Sequence, residues 1–297
     1  MNIGSGSYGE IYLASNITNE EEQVAVKVER ALNGALLPNE GRIYRTLQGL
    51  ADGIPEYKWY GHDEDGYLNI LVIELLGPSL ENCFENCSRQ FTVKTVLMLA
   101  DQILTTLEFL HEMSFIHRDI KPENFMMGRG SKKHKVFMID FGFGKKYRDP
   151  RTLQHTALSR YNNLVGTVHY TSVNMHQGIE GSRRDDLESL AYMLIYFLRG
   201  DLPWQDIKGR NKKQRYDSIM ECKLATPIEQ LCKGLPPEFT AYLRYCRRLT
   251  FDEAPDYKYI RHLFGRLARR RGFRYDYEFD WLKLKEEQQK VESPCLI

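Results

Sequence analysis

His117-Arg118-Asp119-Ile120-Lys121-Pro122-Glu123-Asn124 sets a carboxylate, an ammonium and a carboxamide into six consecutive positions of a proline-containing loop. The flanks say how that loop is held. Upstream, Val96, Leu97, Ala100, Ile103, Leu104 and Leu107 recur at three-and-four spacing, which predicts a helix over Thr92–Met113 with Thr92 as its N-cap. Downstream, Val136–Ile139 reads as a short apolar strand running into Asp140-Phe141-Gly142, sixteen residues beyond Asn124.

In that frame the residue types point to phosphoryl chemistry. Asp119 can accept the proton of an attacking alcohol, and Lys121 can neutralise a transferring phosphoryl group. Asn124 and Asp140 offer hard oxygen atoms to Mg²⁺. Toward the N-terminus, Ile3-Gly4-Ser5-Gly6-Ser7-Tyr8-Gly9-Glu10-Ile11 contains G-x-G-x-x-G, whose glycines let backbone N–H groups approach phosphate without side-chain clash. Alone, this stretch reads equally well as a plain glycine turn. A dinucleotide-binding turn needs a strand before it and a helix opening at the third glycine. Here Glu10–Ala14 continues as strand, so a phosphate-covering hairpin is the better expectation. Lys27 stands in the second strand, Gln23–Glu29. A strand lysine is ordinarily a solvated face residue, but sixteen residues beyond Ile11 it can reach under the hairpin, with Glu40 of the following helical segment as its partner.

Around these motifs the texture changes once along the chain. Residues 1–75 are strand-rich, with Tyr67–Leu75 a third strand, Asn16–Glu22 a polar turn and Pro38–Leu50 the one helical segment. Gly77-Pro78 marks a turn, and from Leu80 onward helices dominate: Asp185–Leu198, Lys212–Cys222, Pro236–Leu249 and Asp256–Arg269.

Taken in order, the glycine hairpin, strand Lys, helix Glu, H-R-D-x-K-x-x-N and D-F-G form the protein-kinase signature set. The chain resembles, more narrowly, the casein kinase 1 family of serine/threonine kinases. That likeness rests on Leu75-Leu76-Gly77-Pro78-Ser79-Leu80-Glu81, on Ser172-Val173-Asn174 where most kinases have A-P-E, on Ser182-Arg183-Arg184-Asp185-Asp186-Leu187-Glu188, and on Leu202-Pro203-Trp204-Gln205. It runs from Ile3 to Trp281.

The resemblance implies an α+β, bilobal protein kinase fold. A small β-rich N-lobe with one main helix would span 1–76, a larger mainly helical C-lobe 77–281, and a short polar tail 282–297. It implies transfer of the γ-phosphoryl of Mg·ATP to Ser/Thr hydroxyls of protein substrates with acidic or phosphorylated residues before the target. Asp119 would be the base, Lys27 and Lys121 would lie on phosphates, and Asn124 and Asp140 on the metal. Ile3, Ile11 and Ala25 would sandwich the adenine, Glu74 and Leu76 would offer it backbone groups, and Ile73 would guard the back pocket. Gly4, Ser5, Gly6, Ser7, Tyr8, Gly9 and Glu10 would complete the nucleotide-covering hairpin. Asp186 would anchor the catalytic loop. A substrate anion pocket would use Arg118, Lys145 and Arg215, with His169 in place of the family's Arg and Asn162 in place of its Lys. A partly protonated His169 would make recognition of a priming phosphate weak and pH-dependent, leaving Arg118 and Lys145 to carry most of it. The family usually has a longer lead-in before the hairpin, so the first strand is expected to be truncated and to lose part of its pairing. Asp140-Phe141-Gly142 is followed by Phe143-Gly144 where the family commonly has Leu-Ala. A catalytically silent scaffold is the alternative, and the presence of Lys27, Asp119 and Asp140 together argues against it.

Composition sets the outer bounds. With 297 residues, 42% hydrophobic and 27% charged, the chain falls in the globular range, large enough for about two lobes of roughly 150 residues. No apolar run approaches the ~20 residues of a membrane span, and the N-terminus lacks the basic start and apolar run of a signal peptide. A cytoplasmic location, or cytoplasmic and nuclear, is the expectation, with no membrane partner, no specific nucleic acid and a monomeric state. Cys83 and Cys87 lie four apart with no histidine near them, so free thiols are expected rather than a metal site. The net charge of +1 hides an asymmetry: residues 1–80 hold 5 Lys+Arg and 12 Asp+Glu, a net of −7, leaving +8 for the remainder. Arg266–Arg274 holds five arginines, which could serve nuclear import or nucleic-acid binding, but a solvated helix end is the expectation.

Overall fold

In the computed structural model, residues 1–6, 9–32, 34–161 and 164–284 are described, with backbone alone for Ser5, Gly6 and Glu20. The first strand, β1 (Asn2–Gly6), turns into β2 (Gly9–Asn16), which pairs with β3 (Asn19–Arg30). Helix α1 (Leu37–Leu47) follows, then β4 (Tyr57–His62) and β5 (Leu68–Glu74). These five strands form one antiparallel sheet in the order β1-β2-β3-β5-β4.

Two expectations are corrected here. The residues of the first strand are paired from the start: Asn2, Gly4, Ser5 and Gly6 register against β2, and Leu13 N donates to Met1 O at 2.8 Å. The segment read as a polar turn is mostly strand, because β2 runs through Asn16 and β3 begins at Asn19. Gly9 is required by the sheet itself. Its φ is +155°, and a Cβ there would meet Val28 O at 2.4 Å.

The strand period of two sorts the sheet into faces. Ile11 faces Lys27 across β2–β3, and Ala25 faces Ile73 across β3–β5, so these four share the side toward the helical lobe. On the other side Tyr12, Val26, Val72 and Trp59 form a row in register, with Trp59 47% exposed. Helix α1 has no N-cap side chain of its own. Glu29 substitutes, accepting hydrogen bonds from Leu36 N (3.0 Å) and Leu37 N (2.8 Å). Its buried stripe of Leu37, Glu40, Ile43, Tyr44 and Leu47 turns Glu40 toward Lys27.

Beyond Glu74 the chain becomes helical. The elements are α2 (Leu80–Asn86), α3 (Val93–Glu112), the short strands β6 (Phe115–Ile116), β7 (Phe125–Met127), β8 (Val136–Met138) and β9 (Lys145–Lys146), then α4 (Val173–His176) and α5 (Arg183–Arg199). Last come α6 (Lys212–Ala225), α7 (Ile228–Leu231), α8 (Pro237–Arg248) and α9 (Tyr257–Arg270). Thr92 caps α3 as expected, accepting from Thr95 N at 3.3 Å. Helix α5 is the centre of this lobe: every residue from Asp185 to Leu198 is buried, against α3 on one side and α8 on another. From Leu190 to Leu198 it is apolar on every side, as a core helix is. The antiparallel pairs β6–β9 and β7–β8 stitch the loop carrying Asp119 to the segment carrying Asp140. This is the α+β, two-lobed architecture expected. Among the described residues no helix is long and apolar enough to cross a membrane.

Candidate active site

A cleft of about 880 Å³ separates the sheet from the helical lobe. Ile3, Gly4, Gly9, Ile11 and Ala25 line its roof, Ile73, Glu74 and Leu76 its back edge, and Asn124, Met126 and Ile139 its floor. One expected hairpin residue lies elsewhere. Glu10 does not line the cleft; its carboxylate meets the Tyr12 hydroxyl on the outer side of the sheet, where strand alternation puts it. Of Ser5 and Gly6 only the paired backbone is described, and Ser7 and Tyr8 lie outside the described residues. At the back edge the Glu74 amide donates to Glu56 O at 2.9 Å, so an adenine edge cannot use it.

Lys27 crosses the cleft. Its Nζ lies 2.7 Å from Glu40 Oε2 and 3.1 Å from Asp140 Oδ1. Burial works against an ammonium here, but the two carboxylates outweigh it and hold Lys27 well above its ordinary range. Asp140 is half-buried, which works against its charge, yet Lys27 keeps its carboxyl below the usual range, so it stays ionised. Its left-handed backbone (φ 64°) starts the turn that buries Phe141 between Tyr44 and His117, at ring separations of 4.9 and 5.3 Å. Asn39, which sequence reasoning missed, ties α1 to this turn: its Nδ2 donates to Gly142 O (3.1 Å) and Gly144 O (2.8 Å).

The loop between β6 and β7 is anchored from below. Asp186, in the first turn of α5 and 1% exposed, accepts from His117 N and Arg118 N, each at 2.8 Å. Its Oδ2 also lies 2.9 Å from His111 Nε2. Burial alone would raise this carboxyl, but the hydrogen bonds from His111 and His117 hold it below its ordinary range. The anchor fixes Arg118 in a left-handed conformation (φ 67°), which aims the next residue, Asp119, into the cleft.

Asp119 is 4% exposed, and its two oxygens are divided. Oδ2 lies 2.9 Å from Lys121 Nζ and accepts from Asn124 Nδ2 at 3.1 Å. Oδ1 accepts from Thr167 N (2.7 Å) and Thr167 Oγ1 (2.8 Å). Lys121 also donates to Thr167 Oγ1 at 3.2 Å. Burial pulls the Lys121 ammonium down, but Asp119 more than restores it. Thr167 was missed in sequence; its only signal was the glycine before it. Gly166 has φ +86°, and a Cβ would come within 2.4 Å of Arg118 O, so only glycine lets the segment dock on the catalytic loop.

The donor set fits a hard divalent cation. Asp140 is an ionised carboxylate, and Asn124 spends its NH₂ on Asp119 O (2.8 Å) and Oδ2, which leaves its carbonyl oxygen for the cleft it lines.

The four residues expected in one substrate anion pocket fall into two groups. His169 and Arg215 line the cleft, with His169 Nε2 3.1 Å from the Arg215 guanidinium. Arg118 and Lys145 do not line it. Arg118 Nε donates to Phe143 O (2.7 Å), and Lys145 is spent on Glu180 Oε2 (2.9 Å) and the Tyr161 hydroxyl (2.6 Å). Glu180 is 2% exposed and also accepts from Ser159 Oγ at 3.0 Å, so a built-in carboxylate already occupies Lys145. Burial, then Arg215 and Lys223, push the His169 imidazole below its ordinary range, so at neutral pH it carries less charge than the partly protonated histidine expected. Asn162 lies outside the described residues.

The strand lysine bridged to a helix carboxylate, and the divided carboxylate facing a lysine and an asparagine across one cleft, make a phosphoryl-transfer site in both sequence and space. The model of the protein kinase domain matches residues 1–258, from the first strand into the first turn of α9, and the chain therefore belongs to the protein kinase family.

Proposed function

We propose that this kinase acts on serine and threonine in the manner of casein kinase 1, favouring hydroxyls preceded by acidic or phosphorylated residues. The observation that carries the reading is the division of Asp119. One oxygen is held by Thr167 on the substrate side, and the other by Lys121 and Asn124 on the phosphate side.

A substrate hydroxyl entering beside Thr167 gives its proton to Asp119 as its oxygen bonds to the γ-phosphorus, and the bond from that phosphorus to the β–γ bridging oxygen breaks. Lys121 faces the charge on the transferring group, and Lys27 faces the phosphates left behind. Held by Asn124 and Asp140, Mg²⁺ would supply charge neutralisation on the phosphate oxygens. Most of the acceleration then comes from positioned charge in a partly dry cleft. On the substrate side, Lys212 and Arg215 on α6 give the wall a positive character that suits an acidic or phosphorylated neighbour. With His169 mostly neutral and Lys145 neutralised by Glu180, Arg215 carries most of that preference, which should be flat between pH 7 and 8.

The test is labelled phosphate transfer from Mg·ATP to casein and to peptide pairs that place aspartate, phosphoserine or alanine before a serine, a threonine or a tyrosine. Transfer to the serine and threonine peptides, abolished in Asp119→Asn and with its acidic preference reduced about tenfold in Arg215→Ala, is expected (~1.4 kcal/mol per decade). Equal transfer to tyrosine, or ATP binding without transfer to any substrate, would overturn the reading.

A further inference from the structure

The last helix carries a charge pattern that neither folding nor phosphoryl transfer uses. Its buried stripe of Ile260, Leu263, Phe264 and Leu267 packs on α3 and α8. On the opposite side Lys258, His262, Arg266 and Arg269 are all exposed, at spacings of four, four and three. That spacing makes one stripe about 16 Å long at 1.5 Å per residue. Arg271 and Arg274, also exposed, extend it past the end of the helix. Between Tyr257 and Arg274 there are seven Lys+Arg and no Asp or Glu.

Most of this charge is uncompensated. Arg261 pairs with Glu108 (2.5 Å) and Arg270 with Glu238 (2.7 Å). Lys258, Arg269, Arg271 and Arg274 have no ion-pair partner among the described residues, while Arg266 shares Glu238 with Arg270 at longer range. The helix dipole accounts for cations at the C-terminal end, Arg269 and Arg271. It does not account for Lys258, which faces the positive end of the helix in its first turn. A helix optimised only for stability would place an acidic residue four positions from one of these cations.

We propose that the outer face of α9 is a docking surface for single-stranded nucleic acid, bound through its backbone without sequence preference. Two features favour this occupant over an acidic peptide or a lipid surface. Tyr259, 38% exposed, follows Lys258 with its ring supported by Tyr245 at 5.1 Å, giving a braced aromatic platform at the start of the basic helix. Among the described residues, Tyr259 is also the only large exposed hydrophobic on this helix, so no aliphatic or Trp/Phe side chain is offered to a bilayer. No α9 residue lines the cleft, so a bound strand leaves the active site open. The surface would tether the kinase near proteins assembled on the same strand.

The test uses the full chain and a fluorescein-labelled 20-nucleotide oligouridylate, read by anisotropy across a salt series. Four free cations give an expected log–log salt slope of about −3. Reversing Lys258→Glu, Arg266→Glu, Arg269→Glu and Arg271→Glu together should weaken binding more than tenfold and flatten the slope. Peptide phosphorylation by the same preparation should stay within about twofold, since none of the four touches the cleft, and it serves as the check on folding. Should that check fail, Arg266→Gln with Arg274→Gln replaces the reversal, with a smaller loss in the same direction expected. Tyr259→Ala should weaken binding about fivefold or more with the salt slope unchanged. Three results each overturn the proposal: oligouridylate binding equal in wild type and the charge variant, no effect of Tyr259→Ala, or tighter binding of polyglutamate or of phosphatidylserine vesicles than of oligouridylate.

Discussion

The two lobes hold together in different ways, and the cleft needs both. In the sheet lobe few apolar side chains are buried: Val24 and Leu71 from the strands, Leu37, Ile43, Tyr44 and Leu47 from α1, and Ile54 after it. Val26, Val28, Ile70 and Val72 remain half-exposed, so the lobe rests largely on its ladder hydrogen bonds. In the helical lobe α5 alone buries fourteen consecutive residues. Asp119, Asn124 and Asp186 belong to that rigid half, whereas Lys27 and Glu40 belong to the thinly packed one. The difference teaches a division of labour: a fixed floor orients the reacting groups, and a looser roof brings Lys27 to them. Only a few ties join the halves besides Lys27–Asp140, among them Asn39 to the turn after Asp140, Lys132 Nζ to Glu74 (2.6 Å) and Arg129 to Gln23 (3.1 Å).

Several substitutions would break or sharpen this contrast. The largest effect belongs to the floor: Asp119→Asn should lower kcat by about 10²–10⁴ while nucleotide binding, measured separately, is retained. Asp186→Ala removes a buried carboxylate from two amides and His111, and urea unfolding should show a loss of about 3–5 kcal/mol. Matched core truncations test the packing difference directly. Leu190→Ala in α5, fully buried, should cost about 2–5 kcal/mol, against about 1 kcal/mol for half-exposed Val26→Ala. Equal costs would remove the contrast.

A pH series probes the floor further. Lys223 is fully buried, and its Nζ donates to Val168 O (2.8 Å) and Thr171 O (2.6 Å) beneath the substrate-binding segment. Burial pulls its ammonium down to about 7. Because its pKa is lower folded than unfolded, the unfolded chain binds more protons between the two values, so Lys223's contribution to stability rises with pH over that window. From pH 7 to 9 the gain should be at most about 2 kcal/mol, and it should vanish in Lys223→Met. The smallest effect is expected at the junction. Lys132→Met removes a half-exposed tie to Glu74 and should speed nucleotide release by no more than about fivefold, as stopped-flow fluorescence would show.

How much of this was legible in sequence depended on whether the signal was local. Helix α3 and its cap were readable because Thr92 and the apolar period lie within one segment. The Lys27–Glu40 pairing was anticipated from order along the chain, and the structure places those atoms 2.7 Å apart. Strand β4 was missed because Tyr57–His62 mixes aromatic, charged and glycine residues, and only its pairing with β5 makes it a strand. Helix α2 was missed because at seven residues it shows no full period; its signal was the capping box of Ser79 and Asn82. Thr167, Asn39 and Glu180 act on partners 48, 105 and 35 residues away, a distance at which residue type carries no information. Likewise, nothing in the spacing of Arg118 and Lys145 reveals that Lys145 pairs with Glu180 and that Arg118 turns to Phe143 O.

The enclosure of α5 also bears on how such a chain can change over generations. A residue surrounded on all sides by neighbours can be replaced only together with them, so drift along Asp185–Leu198 is slow whether or not a given position touches the reaction. The outer row of Tyr12, Val26, Val72 and Trp59 and the open stripe on α9 carry no such obligation. Descendants of this protein can therefore acquire new addresses and new associates on those two faces while the machinery between them is inherited almost unaltered.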